Sequence, residues 1–175
     1  MEEAMNYLGL AAGLFGLDYV CKERIEAQDP AAFPRDAQKG GGKIRLYRNH
    51  NRGFCFGFLE KKPELVRQLP LVFTSTSAGA LFWLLTRRGS RTGEKLGFAF
   101  LTAGALSNLC DRLRRGYVVD YLNFRIGILK KVVFNLGDLC ILAGSLILGV
   151  TEFADFGREG SGPLRWPWQR RRSQE

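Results

Sequence analysis

Histidine is nearly absent. His50 is the only one in 175 residues. A histidine-rich metal site is therefore excluded, and a histidine-dependent triad would have to rest on that single ring. The four cysteines (Cys21, Cys55, Cys110, Cys140) form no C-x-x-C pair and show no metal-ligand spacing. Three lie in or beside apolar stretches, where a free thiol behaves as a small hydrophobe. No disulfide framework or metal-ligand set follows from these residues. A secretory signal is also missing. Glu2 and Glu3 open the chain, and no small-x-small cleavage site follows the first apolar run. Membrane insertion is expected through retained helices.

Charge is missing from long stretches. Residues 4–17, 68–86, 96–110 and 132–151 contain one charged side chain between them, Asp138. The chain as a whole is 25% charged, with net charge +9. The remaining charges are therefore crowded into the connectors. Mean hydropathy is −0.11, which by itself describes a basic soluble domain. The segregation instead predicts four apolar helices, approximately 4–20, 68–86, 96–113 and 132–151. Crossing a bilayer takes about 20 apolar residues. The second and fourth stretches meet that outright; the first and third need their flanks.

The first connector, 23–67, holds breakers (Pro30, Pro34, Gly40, Gly41, Gly42). Polar and apolar residues then alternate through Lys43-Ile44-Arg45-Leu46-Tyr47, and again through Phe54, Phe56 and Phe58. Alternation on both sides of Asn49–Gly53 predicts two short strands. The second connector, 87–95, has four basic residues to one acidic. The tail carries Arg165, Trp166, Trp168 and Arg170–Arg172. Both read as cytoplasmic segments, and 154–175 as a basic, disordered cytoplasmic tail after a unit 1–153. The Lys/Arg count opposes this orientation. It puts nine inside, against ten in 23–67 and six in 111–131 outside.

Ionisable groups at membrane depth are costly and mark function unless they are paired. Asp138 lies in Phe134-Asn135-Leu136-Gly137-Asp138, with Asn135 three residues away on the same helical face. Asp120 lies in the apolar segment Gly116-Tyr117-Val118-Val119-Asp120-Tyr121. Asn108, Asp111 and Arg112 share one face of the third helix. Asp18 and Lys22, four apart, have the favourable ion-pair order. Structural roles fit each of these as well: a helix-packing aspartate, a strand-end aspartate, a helix-end network and a buried ion pair. Two aspartates without a triad suggest carboxyls that share one proton, one activating water and one protonating a leaving amine.

The order of these motifs resembles the bacterial signal peptidase II family, the lipoprotein signal peptidases, over residues 5–150. The motifs are Asp18-x-x-x-Lys22, Asn51-Arg52-Gly53-Phe54-Cys55-Phe56, Ala103 through Arg112, Gly116 through Tyr121, and Phe134 through Asp138. The resemblance implies an all-α membrane protein of four transmembrane helices, with a small β-rich extracytoplasmic cradle between helices 1 and 2. It implies a monomer in the bacterial cytoplasmic (inner) membrane, its site near the extracytoplasmic face. The implied activity is aspartic: cleavage of prolipoproteins before the diacylglyceryl-modified cysteine. Asp120 and Asp138 match the catalytic pair. Asn51, Gly53, Asn108, Asp111, Arg112 and Asn135 match the residues that hold substrate, and Asp18 and Lys22 match a structural pair. The implied partners are diacylglyceryl-modified prolipoproteins and membrane lipids, with no nucleic acid, and the implied mechanism needs no metal or organic cofactor.

Two positions depart from the family pattern. Ser107 replaces a usual Gly and Gly137 a usual Ala. Gly137 is expected to loosen the helix carrying Asp138, by about 1 kcal/mol. The competing classes are a non-catalytic membrane binding or scaffold protein of the same fold, a small ion or proton transporter using Asp138, and a soluble basic nucleic-acid binder. Prolipoprotein cleavage, ion flux and detergent-free extraction separate them.

Overall fold

The computed structural model describes residues 2–37, 41–53, 62–87 and 89–159. Each predicted apolar stretch has its helix, α1 Glu2–Glu26, α2 Pro63–Thr86, α3 Thr92–Arg115 and α4 Leu136–Glu159; the first three stretches lie wholly inside theirs and the fourth from Leu136 onward. Helices of 24–25 residues run about 37 Å, enough to cross a hydrocarbon core. Two are also apolar enough: Glu64–Thr86, with mean hydropathy 1.4, and Leu136–Ala154, with 1.6. α1 and α3 carry Asp18, Lys22, Lys95 and Asp111, all buried. α4 continues past the predicted boundary to Glu159. Residues 160–175, with the tail's Arg165, Trp166, Trp168 and Arg170–Arg172, lie outside the described residues.

α3 is the central helix and packs against the other three, most extensively against α4. Its buried residues include many small ones, among them Gly97, Ala99, Ala103, Gly104, Ala105 and Ser107. Without large side chains between them the backbones approach closely. A Cβ on Gly97 would lie 3.1 Å from the Gly144 carbonyl oxygen, and one on Gly104 only 2.2 Å from that of Gly137. The glycines are seven apart on both helices, so an antiparallel pair brings two contacts into register at once. A second cluster (Ala11, Leu81, Ala99, Ala103) joins α1 and α2 to the same helix.

The bundle turns its apolar side chains outward. Leu69, Leu71, Val72, Phe73, Phe82 and Trp83 on α2, and Leu142, Leu146, Val150 and Phe153 on α4, are exposed. Asp18, Lys22, Asn108, Asp111, Asp120 and Asn135 are buried. Such an apolar exterior suits hydrocarbon rather than water.

The connectors supply a three-stranded antiparallel sheet of β1 (Arg35–Asp36), β2 (Ile44–Asn51) and β3 (Val118–Phe124), in that order. The first predicted strand is present and runs on to Asn51. The second, around Phe54, Phe56 and Phe58, lies outside the described residues. The sheet is also not confined to the connector between helices 1 and 2, because β3 comes from between α3 and α4. Gly116, at φ 78°, ends α3 in a left-handed conformation open to glycine. The chain then enters β3 two residues later. β2 and β3 pair Asn49 with Asp120 and Asn51 with Val118. The fourth predicted helix differs at its start: Val132 and Val133 lie outside it, and Phe134 forms a bridge to Leu122 instead.

Candidate active site

Five segments converge where α1, α3 and α4 meet the sheet. The start of α4 organises them. Asn135 stands just before the helix. Its Oδ1 accepts from the Asp138 backbone N–H at 2.8 Å, and its own N–H donates to Asp138 Oδ2 at 3.2 Å. This is a reciprocal capping box, in which both ends of Asn-x-x-Asp satisfy helix-terminal donors. Asn135 is therefore a cap, not a partner on the helical face as the spacing had suggested. Its remaining donor, Nδ2, reaches Asp120 Oδ1 at 2.8 Å. One asparagine thus holds the backbone of one aspartate and the carboxylates of both.

Asp120, 3% exposed, accepts a second bond on Oδ2 from Asn51 Nδ2 at 3.0 Å. Burial pushes its carboxyl up to about 7, and the negative charge of Asp138 pushes the same way. The two asparagine donors and the more distant Lys22 oppose that rise. A carboxyl in this range holds its proton part of the time at neutral pH.

Asp138 Oδ1 accepts from Asn108 Nδ2 at 2.8 Å. Lys22 fixes the orientation of that amide. The Lys22 ammonium can only donate, and it reaches Asn108 Oδ1 at 2.9 Å, so the NH2 end must face Asp138. Lys22, 1% exposed, also meets Asp18 Oδ2 at 2.9 Å and Asp111 Oδ2 at 3.3 Å. Asp111 Oδ2 in turn accepts from the Val119 N–H at 3.1 Å, holding the strand that carries Asp120. The Asp18–Lys22 pair expected to be structural thus stands one residue from the Asp138 carboxyl, through Asn108.

Arg112 Nη2 donates to the Gly53 carbonyl at 2.8 Å, and the Gly53 N–H donates to Asn51 Oδ1 at 3.0 Å. Together they tie the Asn51–Gly53 turn to α3. All ten residues singled out by sequence are therefore joined in one hydrogen-bonded region. His50 is not part of it: its ring pairs with Glu26 at 2.9 Å and stacks on Tyr117.

Two participants were not legible as such. Ser107 had registered only as a departure from the family pattern. Its hydroxyl donates to Asp18 Oδ2 at 2.6 Å and accepts from Lys22 at 3.0 Å. Tyr121 donates to Asp18 Oδ1 at 2.9 Å and accepts from the Leu136 N–H at 3.3 Å. A buried tyrosine needs such a partner, but nothing in the local pattern names it. The expected loosening at Gly137 has a different reading in the structure. A Cβ there would lie 2.9 Å from Asp18 Oδ2 and 3.0 Å from Asn135 Oδ1. The missing methyl leaves room for the buried carboxylate. Among the described residues, no group of three or more His, Cys, Asp or Glu is placed to hold a metal.

Fold and site together define a helical membrane protein with two aspartates gathered around one asparagine. Its fold is similar to those of two solved bacterial membrane enzymes, both determined by the in meso method. One aligns with TM-score 0.73 at 19% identity, covering 91% of this chain and 94% of that one. The other aligns with TM-score 0.68 at 21% identity, covering 83% and 91%. Residues 10–154 match the family model for signal peptidase (SPase) II. Lipoprotein signal peptidases of Brucella ovis, Brucella abortus and Brucella melitensis are each 34% identical over 116 residues, 66% of this chain and 71% of theirs. The chain belongs to the signal peptidase II family.

Proposed function

We propose that this protein is an aspartic endopeptidase of the bacterial cytoplasmic membrane that removes signal peptides from prolipoproteins, cutting before the diacylglyceryl-modified cysteine. The observation that carries the reading is the Asn135 bridge, which holds Asp120 and Asp138 in one network. Two carboxyls that repel each other's second charge retain a single proton between them. The ionised one draws a proton from water as that water attacks the carbonyl before the lipidated cysteine. The protonated one delivers its proton to the departing amine.

Arg112 and the Asn51–Gly53 turn orient the substrate backbone, and the Asn108 amide offers a donor beside the Asp138 carboxyl. All four helices span the bilayer in this reading, α1 and α3 shielding their charged residues inside the bundle. The site faces the extracytoplasmic side, and residues 1–153 form one monomeric catalytic unit followed by a cytoplasmic tail. Diacylglyceryl chains enter laterally from the lipid.

The test is cleavage of a purified diacylglyceryl-modified prolipoprotein by enzyme reconstituted in lipid. Asp120→Asn and Asp138→Asn preserve shape, and each is expected to lose activity by about a thousandfold or more, with folding checked by thermal melting. Normal processing by either variant overturns the assignment of the pair.

A further inference from the structure

The Lys/Arg count left an excess of basic residues on the side assigned to the exterior. Part of that excess gathers at one end of the sheet. β3 ends at Phe124, and a short 3-10 helix, Gly127–Lys131, follows it. Every residue from Arg125 to Lys131 is exposed. Ile128 is 86% exposed, and Ile126 and Leu129 are exposed beside it.

This knuckle is a constructed feature. The buried Asn123 amide faces the carbonyls of Leu129, Lys130 and Val132 at 3.4, 3.0 and 2.7 Å. The Arg125 N–H donates to the Lys43 carbonyl at 2.8 Å, tying the knuckle to the start of β2. Lys43, Arg125, Lys130 and Lys131, all exposed, lie in the knuckle or on the strand end bonded to it. Among the described residues the acid at this end is Asp36, and it is already shared by Arg45 and Arg125.

Exposed apolar residues flanked by cations match a phospholipid surface, where anionic phosphates lie above hydrocarbon. The position agrees. Lys131 is five residues from Leu136, the first residue of α4, so at most about 18 Å of chain separates them. We propose that Arg125–Lys131 is a lipid anchor. Ile126, Ile128 and Leu129 enter the acyl boundary of the outer leaflet, and Lys43, Arg125, Lys130 and Lys131 receive anionic headgroups. This rests on the membrane-spanning reading of α4. The anchor seats β3, and with it Asp120, against the membrane surface from which the substrate lipid comes.

The test uses tryptophan fluorescence of the full chain in nanodiscs. Ile128→Trp is made with Trp83, Trp166 and Trp168 replaced by Phe, and a companion protein keeps Trp83 alone as a reporter of α2. The Ile128→Trp indole is expected to emit at short wavelength and to be quenched most by lipids brominated near the carbonyl end of the acyl chain. Brominated phosphatidylglycerol should quench it several-fold more than brominated phosphatidylcholine at equal mole fraction. Adding Lys130→Glu and Lys131→Glu should remove that preference.

Aqueous emission without quenching, while Trp83 is quenched, overturns the anchor and leaves the membrane reading intact. Absence of quenching at both positions overturns the membrane reading and the anchor with it. A shielded indole that no brominated lipid quenches, and that responds only to prolipoprotein, assigns the knuckle to the peptide and also overturns the anchor.

Discussion

Gly104→Ala tests whether the α3–α4 seam sets the geometry of the site. The added methyl carbon would stand 2.2 Å from the Gly137 carbonyl oxygen and 3.0 Å from Ile141 Cγ1. Real Cβ contacts rarely fall below 3.0–3.4 Å, so the two helices must part by about 1 Å at this level. The obstructing atom is backbone, and no rotamer change relieves it. Gly137 precedes Asp138 directly, so the strain falls on the first turn of α4. The 2.8 Å bond from Asn108 to Asp138 would stretch to about 3.8 Å, beyond hydrogen-bond range.

Overpacking of this kind costs about 1–3 kcal/mol of stability. A 1 Å misplacement of a catalytic group costs about a hundredfold in rate. Cleavage of a lipidated prolipoprotein in nanodiscs, with kcat and KM separated, should show the loss in kcat. Gly149→Ala is the control, because its Cβ meets nothing within 4 Å and it should leave both rate and melting temperature close to the parent. A Gly104→Ala enzyme that turns over like the parent, at an unchanged melting temperature, would refute the reasoning.

Two further substitutions separate effects that the site combines. Asn135→Ser retains a side-chain oxygen for the helix cap but loses the 2.8 Å donation to Asp120. Stability should stay within about 1 kcal/mol, while kcat falls and the alkaline limb of the pH–rate profile moves up, because a donor that favoured the ionised carboxyl is gone. A lower melting temperature with an unmoved pH profile would contradict this. Asp120→Asn addresses stability against pH. The carboxyl ordinarily titrates near 3.8 and in the folded protein at about 7, so its proton favours the folded state. Stability is then full below about pH 4, declines by up to about 4 kcal/mol as pH rises toward 7, and levels above it. The variant should lose that decline and melt above the parent at alkaline pH. Parallel melting curves for the two proteins would show that Asp120 is not the group responsible.

Local chemistry was the legible part of this fold. Uncharged runs located all four helices, because in these runs the outward-facing positions are as free of charge as nearly all the packed ones. Asn108, Asp111 and Arg112 were placed on one face by helical phase, and they meet the site together. Asn135 and Asp138 were paired correctly for the wrong reason, since a spacing of three fits both a helical face and a capping box. The start of α4 was misplaced by four residues because Val132, Val133 and Phe134 are as apolar as the helix that follows. The edge of that helix is set by a polar cap, not by hydropathy. Tertiary pairing was beyond local pattern. β2 and β3 lie some seventy residues apart, Asn51 to Asp120, and no local alternation specifies which strand a ribbon joins. The heptad spacing of Gly97 with Gly104, and of Gly137 with Gly144, was present in the sequence, but it gains meaning only once the helices are known to be antiparallel neighbours.

The bonds that begin α4 are the same bonds that position Asp138 and tether Asp120. The Asn135 side chain fixes the Asp138 backbone, the Asp138 carboxyl returns a bond to the Asn135 N–H, and the Asn135 amide holds Asp120. Fraying at the start of α4 would therefore scatter both carboxyls at once, whereas loss of the Asn135 amide group alone would release Asp120 and leave the helix capped.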